Sequence, residues 1–296
     1  MKIENNVLIK VYESDIQADG SLIIPDGITE IGNIACSYRS FKSICIPNSV
    51  QKIGNNAFFY CSDLEKIDIP NSVIKIDISA FKNCYSLKEV HLSNGIEEIA
   101  DSTFYSCLSL EHITIPNHVK VVGSCAFGDC KALKEIQLPE RVEIIESYAF
   151  AKCSSLEKID IPSRVVKIGN NAFYCSSLEK INIPNTVQSI GKCAFEDCKN
   201  LKDVHLPNSI KKNEVSTFAG CLSLNNIFIP DKVKTIGEGA FFKCEALKEV
   251  WISNGAKVID EYAFCYCISL ETIFIQKWFR RNWKLRFLKL FCFKEN

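Results

Sequence analysis

The chain has 296 residues, 47% of them hydrophobic and 24% charged, and its 35 basic side chains balance 35 acidic ones. That balance is made of two unlike parts: after Ile275 seven Lys and Arg stand against the single Glu295, so this segment is +6 and everything before it is −6. The body of the chain therefore offers no basic nucleic-acid surface, no stretch approaches the roughly 20 apolar residues needed to cross a bilayer, and Met1 to Val11 lacks the apolar core of a secretory signal. With no Asn-x-Ser/Thr acceptor either, these absences predict a soluble, cytoplasmic chain without a transmembrane segment.

Residues 1–20 stand outside any repeat and are expected to form an N-terminal cap, with Val7 to Val11 as a strand and Asp19-Gly20 as a turn. Leu22, Ile24, Pro25, Ile28 and Ile31 then form a first, short repeat that carries Cys36 where later repeats carry Phe. From there the anchors are Phe41, Leu64, Leu87, Leu110, Leu133, Leu156, Leu178, Leu201, Leu224, Leu247 and Leu270, a period of 23 broken once to 22. A fixed period of this size predicts a stacked solenoid. Its phase runs to Ile275 without a linker, so residues 21–275 are expected to be one elongated domain.

Within a repeat, Ile67 and Ile69 are two apart and share one face of a strand, which turns Lys66 and Asp68 outward. Pro70 and its equivalents end that strand because proline cannot donate to a ladder. Val73 and Ile76 supply a second inward pair, and the spacing of Ala80, Phe81 and Cys84 suits one helical turn. The residue after the second Ile is Gly in some repeats (Gly54, Gly123) and Asp77 or Glu146 in others, so a left-handed backbone is not demanded there. Two repeats deviate. One residue is missing between Phe173 and Cys175, which predicts a tightened turn, and Asn213 replaces a core Ile. A buried, unpaired amide costs about 1–3 kcal/mol, so either the repeat opens locally or, the expectation here, the Asn213 side chain finds a backbone partner.

Ten of the 16 cysteines (61, 84, 107, 130, 153, 175, 198, 221, 244 and 267) recur at one repeat position. Parallel side chains about 4.8 Å apart do not aim paired sulfurs at one another, and cysteine is a small, often buried residue. A core ladder of free thiols is therefore expected. Zinc is disfavoured, since no Cys-x-x-Cys occurs.

The pattern Leu-x-x-Ile-x-Ile-Pro-x-x-Val-x-x-Ile-Gly-x-x-Ala-Phe-x-x-Cys resembles the BspA-type leucine-rich repeat over residues 21–275. The resemblance implies a leucine-rich repeat solenoid, mainly β, of about eleven to twelve repeats. A parallel sheet would line one face, with short helical turns opposite. It also implies protein binding or adhesion, commonly at a microbial cell surface, in tension with the cytoplasmic expectation above.

Specificity is sought in the outward rows. The position after the anchor runs Lys42, Glu65, Lys88, Glu111, Lys134, Glu157, Glu179, Lys202, Asn225, Lys248, Glu271, and its alternating signs suit register and solubility. The position between the core isoleucines runs Cys45, Asp68, His91, Thr114, Gln137, Asp160, Asn182, His205, Phe228, Trp251, Phe274, polar at first and aromatic at the end. Contiguous aromatics on a solvent-facing sheet mark a contact surface. Three readings stay open: the C-terminal segment covers them, a protein or glycan docks on them, or a second copy does. The candidate binding residues are Phe228, Trp251, Phe274, His205, Asn182 and Asp160. Asp68, Glu89, His91 and His112 lie on adjacent strands and are read as a solvated polar face, not as a metal site.

Residues 276–296 leave the consensus but stay aromatic and basic, with Trp283 to Phe287 alternating apolar and basic residues. They are read as a divergent C-terminal cap, or as a patch for self-association, an acidic partner or an anionic membrane surface. No phosphate-binding loop, His-Glu-x-x-His or Gly-x-Ser-x-Gly occurs. The expected function is thus a non-enzymatic, cofactor-free interaction or adhesion module for a protein or extended ligand. A self-associating structural protein is the alternative.

Overall fold

The structure is a computed structural model that describes residues 1–275. The expectations for residues 276–296, as cap, self-association element or anionic-surface contact, fall outside those residues. The chain divides into two units, residues 1–142 with 149–156, and residues 143–148 with 157 onward. Each is a stack of right-sized coils in which every coil opens on a strand of three or four residues and continues through a two-residue strand. The only helix among the described residues is the 3-10 turn Glu13–Asp15.

In the first unit the hairpin Lys2–Glu4 with Val7–Lys10 is antiparallel, and its second strand pairs in parallel with Glu30–Ile31. That short ladder continues through Lys52–Ile53 to Lys75–Ile76. On the longer-strand face Lys66–Asp68, Glu89–His91 and His112–Thr114 pair in register, one residue under the next. In the second unit Lys180–Asn182 pairs with Asp203–His205, and Asn226–Ile229, Glu249–Ile252 and Thr272–Ile275 form a three-stranded ladder. The strand Lys66–Asp68 alternates exposed, buried, exposed, and Ile67 and Ile69 are 1% and 5% exposed, the inward pairing that their two-residue spacing predicts.

The segment whose spacing suggested a helical turn is realised as a run of tight turns that cannot propagate. Ala57, Phe59 and Cys61 N–H groups donate three residues back, to Gly54, Asn56 and Phe58. Between them Asn56, Phe58 and Tyr60 donate instead to Ile78, Ala80 and Lys82 of the next coil at 2.8–3.0 Å. Such alternation requires a left-handed residue before Ala and another before Cys: Asn56 has φ 53° and Tyr60 φ 59°. The same two positions recur as Ser79 and Asn83, then Ser102 and Ser106. The left-handed demand thus falls two and six residues beyond Gly54. Gly54 is small for another reason, since a Cβ there would meet the Asn33 backbone N at 2.8 Å.

The core is built as ladders. Phe58, Phe81, Phe104, Phe127 and Phe150 stack at centroid distances of 5.0–5.5 Å in the first unit. Phe173, Phe195, Phe218, Phe241 and Phe264 do so at 5.3–5.6 Å in the second. In the first coil Cys36 takes the Phe place, and the Phe41 anchor offsets the lost volume by packing edge-on to Phe58 at 6.4 Å.

Nine of the ten repeat-position cysteines, all but Cys175, form a buried free-thiol ladder, and their chemistry explains it better than size alone. Cys84 Sγ donates to the Phe58 carbonyl at 3.1 Å, and the thiols of Cys107, Cys130 and Cys153 repeat this on Phe81, Phe104 and Phe127. Each thiol fills the second lone pair of a carbonyl whose first already accepts the N–H three residues on. Burial pushes the Cys61, Cys153 and Cys198 thiols up to about 12, which makes them poor nucleophiles.

Two expectations are corrected. In the shortened coil Ser176, 3% exposed, takes the ladder place, donating its N–H to the Phe173 carbonyl and contacting Cys198 Sγ at 3.2 Å. Cys175 is the left-handed residue before it (φ 56°) and is half-exposed, so the missing residue lies after Ser176. Asn213 is 2% exposed and its Nδ2 has no hydrogen-bond partner among the described residues, so this donor lacks the expected backbone partner. The spine of the strand pair Lys212–Asn213 and Thr235–Ile236 nonetheless keeps its register.

Candidate binding face of the second unit

All six candidate residues lie in the second unit, on the outward row of its longer strands. Asp160 ends the strand Lys158–Asp160, and its carboxylate is 81% exposed with Lys158 Nζ at 3.7 Å. Asn182 and His205 are register partners on neighbouring strands, both exposed. Phe228, Trp251 and Phe274 are register partners on the last three. The pleat forces them outward because their neighbours Ile227, Ile229, Val250 and Ile252 fill the core at 4% exposure or less.

Phe228 and Phe274 keep 55% and 47% of their surface exposed, and Trp251 is half-buried. The Trp251 and Phe274 rings stack at 5.6 Å with planes 5° apart. Phe228 stands apart from that stack, and a groove of about 120 Å³ opens beside it, lined by Asp203, Val204, His205, Leu206, Asn226, Phe228 and Trp251. The row thus gathers an aromatic platform with polar groups at one end.

The outward residues two positions earlier on the same strands were not singled out from the sequence. They run Asp203, Asn226, Glu249 and Thr272, in register with one another across the ladder from Asn226 to Thr272. Neither Asp203 nor Glu249 forms an ion pair or side-chain hydrogen bond among the described residues. On the comparable face of the first unit several of these side chains are already paired. There His91 Nδ1 lies 2.5 Å from Asp68 Oδ1, His91 Nε2 3.0 Å from Glu89 Oε1, and Lys66 Nζ 3.3 Å from Glu89 Oε2. Among the described residues no group of three or more His, Cys, Asp or Glu is arranged to hold a metal ion. The alternating charge row closes ion pairs at Glu65–Lys88 (3.3 Å) and Glu179–Lys202 (3.4 Å), with side chains about half exposed, where such pairs contribute little.

Comparison with known proteins follows this geometry. Residues 15–132, 97–185 and 166–282 match the family model described as BspA type Leucine rich repeat region (6 copies). Among solved structures, the chain is similar to a leucine-rich repeat protein of Bacteroides ovatus, with 26% identity, a TM-score of 0.64, and 85% of this chain and 76% of that one covered. It is also similar to the pneumococcal vaccine antigen PcpA, with 24% identity, a TM-score of 0.58, and coverage of 86% and 67%. A leucine-rich cell surface protein of Faecalibacterium prausnitzii matches at 27% identity and a TM-score of 0.49, covering 86% of this chain and 87% of that one. Comparison with curated proteins finds no match. The coils, their core ladders and the span of the family match agree: this chain belongs to the BspA-type leucine-rich repeat family.

Proposed function

We propose that the chain is a non-enzymatic binding or adhesion module whose protein partner or other extended ligand lies along the longer-strand face of the second unit. Phe228, Trp251 and Phe274 are its anchors, and Asp160, Asn182 and His205 supply polar contacts along the same row. The observation that supports this reading is the placing of three large aromatics on consecutive strands, in register, with two of them about half exposed. A fold of this kind fills its core with Leu, Ile, Val and Phe from the inward positions, so outward aromatics are not needed to complete that core. Contiguous exposed apolar surface and Trp anchors are the usual marks of a contact site.

The test compares the intact chain with the Phe228→Ala, Trp251→Ala, Phe274→Ala triple variant, both immobilised, for the ligands each retains. Circular dichroism on both checks that the ladder is intact. The reading expects a ligand held by the intact chain and lost by the variant. Equal retention by both places the site elsewhere.

A further inference from the structure

Resting on that reading, we infer that the groove beside Phe228 recognises a cationic side chain of the partner, an arginine in preference to a lysine. The argument is one of charge and shape. The groove has one carboxylate wall, Asp203, and one aromatic wall, Phe228 with Trp251. A guanidinium laid flat on a ring gains from the ring quadrupole, and its edge remains free to meet a carboxylate.

Asp203 is exposed and has no ion pair or side-chain hydrogen bond among the described residues, and the same holds for the half-buried Glu249, on the strand that carries Trp251. Asp203 lies in register with Lys180, yet the two do not close an ion pair. On the equivalent face of the first unit Glu89 and Asp68 are already engaged by Lys66 and His91. Uncompensated carboxylates and outward aromatics therefore coincide on the last strands of the second unit. With a formal −6 before residue 276, approach of a cationic segment is also favoured at long range. The small volume of about 120 Å³ suits one side-chain head group in the groove, with the Trp251 and Phe274 stack beside it to carry the neighbouring residues of an extended segment.

The experiment titrates the full chain by calorimetry with three probes: a peptide of alternating Arg and Gly, its Glu counterpart, and a neutral oligosaccharide. The arginine peptide is expected to bind, more weakly as salt rises. Asp203→Asn and Trp251→Ala are each expected to weaken it roughly threefold to tenfold, while Lys66→Ala on the first unit leaves it unchanged. Asp203→Asn alters an exposed side chain and Trp251→Ala a half-buried one on the outward row, and circular dichroism checks the fold of both. Unchanged affinity in Asp203→Asn overturns the inference, as does unchanged affinity in Trp251→Ala, which would mark general attraction to an acidic body. Binding of the oligosaccharide or the Glu peptide with none of the arginine peptide overturns it too. If the triple aromatic variant loses the natural ligand while Asp203→Asn keeps it, the cationic class fails and the docking face stands. If the triple variant keeps it, the docking face itself fails.

Discussion

Replacing Asn213 by Ile should make the protein more stable. Asn213 is 2% exposed, its Nδ2 has no partner among the described residues, and the same place in neighbouring coils is held by Ile190 and Ile236, 4% and 0% exposed. A buried amide donor without an acceptor costs about 1–3 kcal/mol, and a fully buried Ile contributes about 1.5–3 kcal/mol relative to an exposed one. Part of the second figure is lost to fitting a larger, β-branched side chain into a packed core. A net gain of about 2 kcal/mol is expected. Solenoid stability is approximately a sum over coils and their neighbours, so the gain should be local. Hydrogen exchange read by mass spectrometry is the suitable assay, with slowed exchange expected at Asn213, Gly237 and the ladder between Lys212 and Ile236. The urea midpoint should rise as well. Unchanged or faster exchange in both Asn213→Ile and the smaller Asn213→Val would refute the reasoning, because it would mean the amide is satisfied in solution.

The buried thiols predict alkaline instability. Thiols held up to about 12, as Cys61, Cys153 and Cys198 are, keep protons that the unfolded chain releases above its ordinary value of about 8.5. Their contribution is therefore fully present below about pH 8.5 and is lost as pH rises towards 12, by up to about 1.4 kcal/mol per pH unit per thiol. Urea midpoints at pH 8 and pH 10 should differ strongly, and less so in Cys153→Ala. Cys130→Ser should stay within about 1 kcal/mol of the native chain in thermal or urea unfolding, since a hydroxyl can donate to the Phe104 carbonyl as the thiol does. Cys130→Val loses that donor and adds bulk, so it should cost about 1–3 kcal/mol in the same assay. Gly255→Ala should destabilise by about 3 kcal/mol or more, because its Cβ would fall 1.5 Å from the Asp231 carbonyl oxygen of the preceding coil; a native-like urea midpoint would show that this backbone contact relaxes freely.

Much of the coil is legible in the letters because each coil is covered by near copies of itself. Period-two alternation decides that Ile67 and Ile69 point inward, and the repeat of Phe and Cys decides that their side chains stack. The two left-handed positions were harder to read, since residues there such as Asn56, Ser79, Cys125 and Tyr148 share no chemistry and range from buried Ser79 to exposed Tyr148. A backbone demand met by hydrogen bonds to the next coil leaves only a weak mark on side-chain identity. The shortened coil misleads for a related reason: letter matching aligns Cys175 with the other cysteines, whereas the fold keeps the three-residue turn after Phe173 and assigns the place to Ser176.

By itself the sequence determined the coil, the identity of its core ladders and the outward direction of Phe228, Trp251 and Phe274, because periodicity and burial are properties of one chain segment against its copies. Tertiary structure decided which outward charges are spent and which are free. Lys66, Asp68, Glu89 and His91 engage one another across two strands, while Asp203 and Glu249 meet no partner among the described residues. Ion pairing depends on distances of 3–4 Å between side chains of neighbouring coils, and a row of letters carries the signs of the charges without those distances.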